Sequence, residues 1–434
     1  MTRSGQFSFT HMHQTGRKLS FGFSCSRFGA FEETVTLSSE GAVPGALLAL
    51  LHVALGVSTY KTAAAGTVVF PALPAAGRAM AEALYTDGLA EFFVRAGLPF
   101  PPQTRFEGDI LPAAAAPGPS SAGSHAPIVA FGGGKDSYVA GAIVEKATGL
   151  KPQYASVVMA DKVAEVLTRT APSPLLFVYR SLDPKLLALK DGFTGHVPIT
   201  AINMLVLTIE GFLRGAPHIL FANERSADEP TMMTETGPAN HQYSKSSTFE
   251  EILRRAVAES APEAPPVYSV LRPFSELWIG AQFAALTSAF PRFTSCNRNF
   301  RLAGDADKRW CGACAKCAFT SLILAPCLSD QDVRTIFGRN MLDLEALQPF
   351  YEELLGLADK KPWDCVGTIA ECQAALHLAR DKAPFADSLA VRTWYPELRR
   401  TKSEMELIQQ GLDAMLPEAR GALPREYHDA ALEL

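Results

Sequence analysis

The chain has 434 residues, 47% hydrophobic and 20% charged, so it can bury sizeable cores and is expected to form about two or three domains. A net charge of −5 and a pI near 6.0 exclude a general electrostatic attraction to nucleic acid or to an anionic membrane. The start MTRSGQFSF has no apolar core with a cleavage site, and the longest apolar stretch, residues 46–57, is short and carries His52. Four of the eight cysteines crowd into residues 296–317, which fits metal ligation better than a disulfide framework. The expectation is a soluble cytoplasmic protein with a small-molecule partner and neither nucleic acid nor membrane; the sequence sets no oligomeric state.

In chain order, KLSFGFSC and ETVTL alternate apolar and polar positions as strands do, and residues 44–57 and 79–96 carry apolar residues at helical spacing. Residues 1–112 therefore predict a small α+β domain. Residues 113–127 are dominated by Ala, Pro, Gly and Ser, cannot bury much apolar surface, and predict a linker. From 128 to 330 the short apolar runs IVAF, ASVVM, LLFVY and HILFA alternate with helical stretches, the pattern of an α/β domain with a parallel sheet covered on both faces. Residues 331–434 predict a helical region, with periodic patterns in SDQDVRTIFGRNM, DLEALQPFYEELLGL, TIAECQAALHLA and KSEMELIQQGLDAML.

The most informative segment is IVAFGGGKDSYVAGAIVEKATGL. An apolar strand leads into Gly132, Gly133, Gly134, Lys135, Asp136 and Ser137, and a helix follows with Gly149 at its end. Glycines let the backbone approach an oxyanion, and the helix start offers outward N–H groups and a favourable dipole, so phosphate is the expected ligand. The spacing is neither that of the Walker loop nor that of the GxGxxG turn. GGGKDS instead resembles the SGGxDS loop of the PP-loop ATP pyrophosphatases, with Gly132 where most members have Ser. That resemblance implies ATP cleaved between its α and β phosphates with Mg²⁺, and adenylation of a substrate oxygen.

Cys296 stands fifteen residues before Cys311, which continues as CGACAKC with Cys314 and Cys317. Two overlapping CxxC spacings with a fourth Cys upstream suit one tetrahedral ion, Zn²⁺ before an Fe–S cluster, and a three-Cys site or free thiols are the other readings. The arrangement resembles the zinc site of the 7-cyano-7-deazaguanine synthases, which implies a structural ion.

After the strand HILFA come Asn223, Glu224, Arg225 and Asp228, then the dense polar run Asn240, His241, Gln242, Tyr243, Ser244 and Lys245. Strand ends in open α/β sheets face the ligand crevice, so this material is a candidate substrate site, against the plainer reading of a solvated loop before a helix at 249–259. FGGGKDS, NERSAD, NHQYSKS and CGACAKC, in this order, resemble the MurL family of ATP-dependent UDP-N-acetylmuramoyl-L-alanyl-L-glutamate epimerases of peptidoglycan synthesis. The resemblance implies a UDP-N-acetylmuramoyl dipeptide substrate and inversion of its terminal L-Glu through a carboxyl adenylate.

Within that frame Gly132, Gly133, Gly134, Asp136 and Ser137 would hold pyrophosphate and its Mg²⁺, with Lys135 screening charge in the phosphate region. Lys245 and His241 are candidates for the proton-transfer pair or for binding carboxylates. Arg225 suits a bidentate carboxylate or phosphate contact, and Glu224 or Asp228 a magnesium ion. Asn223, Asn240, Gln242, Tyr243 and Ser244 are the remaining substrate contacts. His52, His377, His11 and His13 read as structural or exposed, and Cys365 and Cys372, seven residues apart, as core or incidental. Two alternatives stand beside this reading: another PP-loop enzyme making an amide, nitrile or thiocarbonyl on a small molecule or tRNA, and a non-catalytic nucleotide-binding module.

Overall fold

The alternation near the N-terminus becomes an antiparallel meander of β1 (Gln6–Thr15), β2 (Lys18–Cys25) and β3 (Gly29–Thr36), with β2 and β3 paired from Lys18 opposite Thr36 to Cys25 opposite Gly29. Leu19, Phe21, Phe23 and Cys25, two residues apart along β2, are all buried, as the pleat requires. The computed structural model describes residues 5–115, 125–298 and 308–434; residues 116–124, within the linker expected at 113–127, lie outside them.

Helix α1 (Gly45–Ala63) runs further than the predicted 44–57. By length and composition it could cross a membrane, but 83% of its apolar window is buried inside the fold, so it is a core helix here. His52 on it donates to the Gly22 carbonyl at 2.8 Å, and burial brings its pKa down to about 4, which keeps it a neutral structural residue. The single helix predicted over 79–96 is in fact broken into α2 (Ala75–Tyr85), a 3-10 turn at Asp87–Leu89 and a short helix at Ala90–Arg95. The break falls at Thr86, whose hydroxyl donates to the Glu82 carbonyl at 2.8 Å and whose backbone leaves the helical region.

β4 (Thr67–Val69) and β5 (Arg105–Glu107) extend the β1 edge in parallel. The apolar runs of the next segment form β6 (Ile128–Ala130), β7 (Gln153–Val158), β8 (Leu176–Ser181), β9 (Ile219–Phe221) and β10 (Val267–Ser269), all parallel to their neighbours within this set. β8 pairs antiparallel with β3, Arg180 opposite Val35, so both sets form one ten-stranded sheet in the order β10-β9-β6-β7-β8-β3-β2-β1-β4-β5. At the seam Arg180 and Glu33 form a buried ion pair, and Arg180 also donates to Ser58 on α1 at 2.7 Å.

The parallel half carries α3 (Lys135–Thr148), α4 (Ile199–Arg214) and α5 (Ser247–Ser260), followed by α6 (Glu276–Ala285), α7 (Ala315–Leu324) and α8 (Ile369–Arg380). Adjacent strand residues face opposite ways: Ile128 joins the core of α1, α2, α4 and α5, built on Leu50, Tyr60, Leu205 and Leu253. Val129 joins the core of α3, α6, α7 and α8, built on Val139, Ile279, Phe319 and Leu376. The result is a three-layer α/β architecture whose two cores are divided by the faces of the sheet. The expected helices of the C-terminal region form, including Asp330–Phe337, ended by Gly338 at φ +75°, and Glu404–Met415.

Candidate active site

The C-terminal ends of β6, β7 and β9 open onto a pocket of about 470 Å³, the place where open parallel sheets put their ligands. One wall is the turn from β6 into α3. Gly133 has φ +80°, a left-handed backbone that favours glycine, and a Cβ on Gly134 would lie 2.8 Å from Ser295 Oγ, which would have to turn aside. The turn is tied down from both sides: Thr294 N–H donates to Gly133 O at 3.0 Å, and Gly132 N–H donates to Ser137 Oγ at 3.1 Å. Gly132, Gly134, Asp136 and Ser137 line the pocket.

Lys135 does not. Its ammonium is buried and ion-paired with Asp136 and with Glu276 of α6; burial opposes its charge, and the two carboxylates outweigh that and hold its pKa above the usual lysine value. Lys135, expected to screen charge in the phosphate region, thus has its ammonium behind the turn, where it is paired with Asp136 and ties the loop to α6.

The opposite wall is made of side chains. Lys245, Lys316 and Cys365 line it, and Asn223 joins them from the end of β9, donating to Ser269 Oγ at 2.9 Å. His241 stands behind Cys365, with Nε2 3.8 Å from Sγ and Nδ1 bonded to buried Glu91. The Glu91 carboxylate also takes His196 at 3.1 Å and Arg95 at 2.8 Å. Burial opposes a charge on His241, but Cys365 and Glu91 outweigh it and lift its pKa to about 10. Burial likewise opposes the Lys245 ammonium, and Cys365 with Glu224 and Asp136 raises it to about 12. The Cys365 thiol, which burial alone would raise, is brought down to about 6 by Lys245, His241 and Lys316.

The remaining polar residues sort by what they touch. Glu224 is buried, burial raises its pKa, and its Oε2 has no hydrogen-bond partner among the described residues. Arg225 is turned away from the pocket and donates to the carbonyls of Leu416 at 3.0 Å and Ala414 at 3.4 Å, fastening the C-terminal helices. Asp228 accepts from Ser247 N–H at 2.7 Å at the start of α5. Asn240 closes its own turn, accepting from Gln242 N–H at 2.7 Å and donating to Ala227 O at 2.8 Å. Gln242 donates to Val366 O at 3.3 Å, beside Cys365; Tyr243 packs on Phe249, and Ser244 is buried. Arg225, Asp228, Asn240 and Tyr243 are thus fold contacts, because a strand-end segment must also satisfy its own backbone and the helices packed on it.

The thiols of Cys296, Cys311, Cys314 and Cys317 lie within 4.8 Å of one another, a group able to hold one metal ion. Residues 299–307, between the first two of them, lie outside the described residues. Cys314 caps the start of α7, and Lys316, on its first turn, donates to Cys365 O at 2.5 Å. The cluster therefore borders the pocket wall.

Sequence reading missed Glu91, His196, Lys316 and Cys365. Cys365, read as core or incidental, lies on the pocket wall; Cys372, seven residues on, is buried in α8 with its pKa pushed up by burial. The available signal was the polar break KPWDCVG between two helical patterns. Glu91 had none, since it sits in a segment with a helical apolar period.

Residues 3–270 match the MurL N-terminal domain family and residues 292–409 the MurL C-terminal domain family. The chain is 37% identical to the UDP-N-acetyl-alpha-D-muramoyl-L-alanyl-L-glutamate epimerase of Salinispora tropica, over 83% of this chain and 80% of that protein. It is 38% identical to the protein of that name from a Micromonospora species, over 83% of each chain, and 33% identical to that from Xanthomonas oryzae pv. oryzae, over 90% of each. No solved structure matches the chain.

Proposed function

The chain belongs to the MurL family of epimerases, which are isomerases, and on that premise we propose that it inverts the terminal L-Glu of UDP-N-acetylmuramoyl-L-Ala-L-Glu to D-Glu in the cytoplasmic synthesis of peptidoglycan precursor, consuming ATP through a carboxyl adenylate. The observation that carries the ATP step is the glycine turn at 132–137, which opens on the same pocket as Lys245 and Asn223.

Inverting one stereocentre is close to thermoneutral, so ATP serves the barrier. Removing the α-proton beside a free carboxylate would place two negative charges on adjoining atoms. Adenylation removes one of them, and each unit of added α-carbon acidity lowers the proton-transfer cost by about 1.4 kcal/mol. The N–H groups at the start of α3 with Ser137 would hold the phosphates, and the glycines, which carry no Cβ, leave room for them. Asp136, on the pocket wall, is the carboxylate that would hold Mg²⁺, which supplies positive charge for the leaving pyrophosphate. Lys245, kept as an ammonium, would return a proton to the α-carbon, and Asn223 would orient the substrate. A mostly buried, all-thiol donor set fits Zn²⁺, held by Cys296, Cys311, Cys314 and Cys317 as a structural ion.

The test is incubation with ATP, Mg²⁺ and UDP-N-acetylmuramoyl-L-Ala-L-Glu in D₂O, followed by assay of AMP, α-deuterium and glutamate configuration. Deuterated D-glutamate with AMP is expected. AMP without deuterium would point to a different adenylation reaction, and neither product to the nucleotide-binding module.

A further inference from the structure

Segments far apart in sequence converge on the sulfur of Cys365, which lines the pocket together with Gly134 and Ser137 of the glycine turn. His241 Nε2 is 3.8 Å from it, Nδ1 of the same ring is bonded to Glu91, and Lys245 lines the same pocket. The loop carrying the thiol is held on both sides, by Lys316 on Cys365 O at 2.5 Å and by Gln242 on Val366 O at 3.3 Å. An imidazole engaged at both nitrogens has no lone pair left for a substrate proton; with a carboxylate behind it, it is built to orient a neighbouring nucleophile or base.

We propose, on the basis of the adenylation reading above, that Cys365 Sγ is the base that takes the α-proton of the terminal glutamate, and that His241 and Glu91 are its positioning residues. The charged groups facing the sulfur are His241, Lys245 and Lys316; with the thiol at about 6, the imidazole at about 10 and Lys245 at about 12, neutral pH gives a thiolate among cations. The step balances without an outside reagent. A sulfur lone pair takes the α-proton, the C–H bond breaks, and its electron pair passes into the adenylated carbonyl as an enolate. Lys245 then gives a proton to the other face of the α-carbon. A thiol and a neutral amine remain; the thiol gives its proton to solvent and the amine takes one from solvent, which restores the starting charges and admits deuterium.

The experiment compares the full-length wild type with Cys365→Ser and Cys365→Ala under ATP, Mg²⁺ and UDP-N-acetylmuramoyl-L-Ala-L-Glu in D₂O, reading the ratio of α-deuterium to AMP. That ratio is expected to fall by about a hundredfold or more in both variants. A ratio within a few-fold of wild type, or an acyl thioester on Cys365 seen by mass spectrometry of the intact protein, would overturn the proposal, the latter by making the sulfur a nucleophile. If the wild type incorporates deuterium without AMP and the variants lose it, adenylation fails while the thiol base stands; no deuterium in the wild type overturns both. Independently of variant folding, iodoacetamide labelling of Cys365 in the wild type should rise through pH about 6, and His241→Gln should move that rise toward the ordinary thiol value of 9.0. A residue that merely filled space would leave the midpoint where it was.

Discussion

The two walls of the pocket are built on opposite principles. The wall at 132–137 is backbone: one contiguous segment, a left-handed glycine at 133, a glycine at 134 packed against Ser295 and a helix start, so its chemistry is complete once a strand and a helix pack in the usual α/β way. The facing wall is side chains from at least three separate places, Lys245, Lys316 and Cys365, with Glu91 and His241 behind them. A backbone wall tolerates changes around it provided the turn survives. A side-chain wall inherits every displacement of the elements that carry its parts.

Breaking the four-thiol cluster is the strongest way to separate them. Cys317→Ser, or chelation in mild denaturant, should reduce bound zinc from one per chain to none, read by elemental analysis, and remove stabilisation on the order of 10 kcal/mol from the segment around α7. Because Lys316 lies between two of the cluster's thiols, Cys314 and Cys317, the α-deuterium signal should fall further than AMP formation does. Equal losses would mean that the cluster supports both walls alike.

Attacking the backbone wall gives the next largest effect. Gly134→Val places a branched side chain against Ser295, and AMP formation with substrate and ATP should fall by about 10²–10³-fold while the thermal midpoint shifts only modestly. An unimpaired variant would show that the turn does not hold phosphate. The smallest effect is expected from Glu91→Gln, which keeps shape and removes charge. Burial would lower the imidazole pKa of His241 once its carboxylate partner is gone, so α-deuterium incorporation at neutral pH should drop about ten- to a hundredfold and its alkaline limb should move below about 10, seen in a pH–rate profile.

These differences track what could be read from residue order. IVAFGGGKDS is legible because a phosphate turn uses local backbone geometry, and local geometry needs particular residue types at fixed spacing. The polar run at 240–245 was legible as unusual, yet its members divide between the pocket wall and its support (Lys245, His241, Gln242) and turn closure or packing (Asn240, Tyr243), because spacing along an irregular loop does not tell which way each side chain points. Arg225 misled for the same reason: a guanidinium beside a strand end suits a carboxylate, but here it satisfies the last carbonyls of a distant helix.

By itself the sequence determined the element types, the glycine turn, the four-thiol cluster and the family, since each rests on periodicity, composition or spacing within a short window. Tertiary structure decided that the N-terminal meander and the parallel strands form one sheet through the β3 and β8 pairing, and that the break at Thr86 delivers Glu91 to His241 and Cys365. The physical reason is common to both: strand partners and buried polar contacts between residues more than a hundred positions apart are chosen by which faces must be covered and which charges must be paired, and neither choice leaves a local mark in the chain.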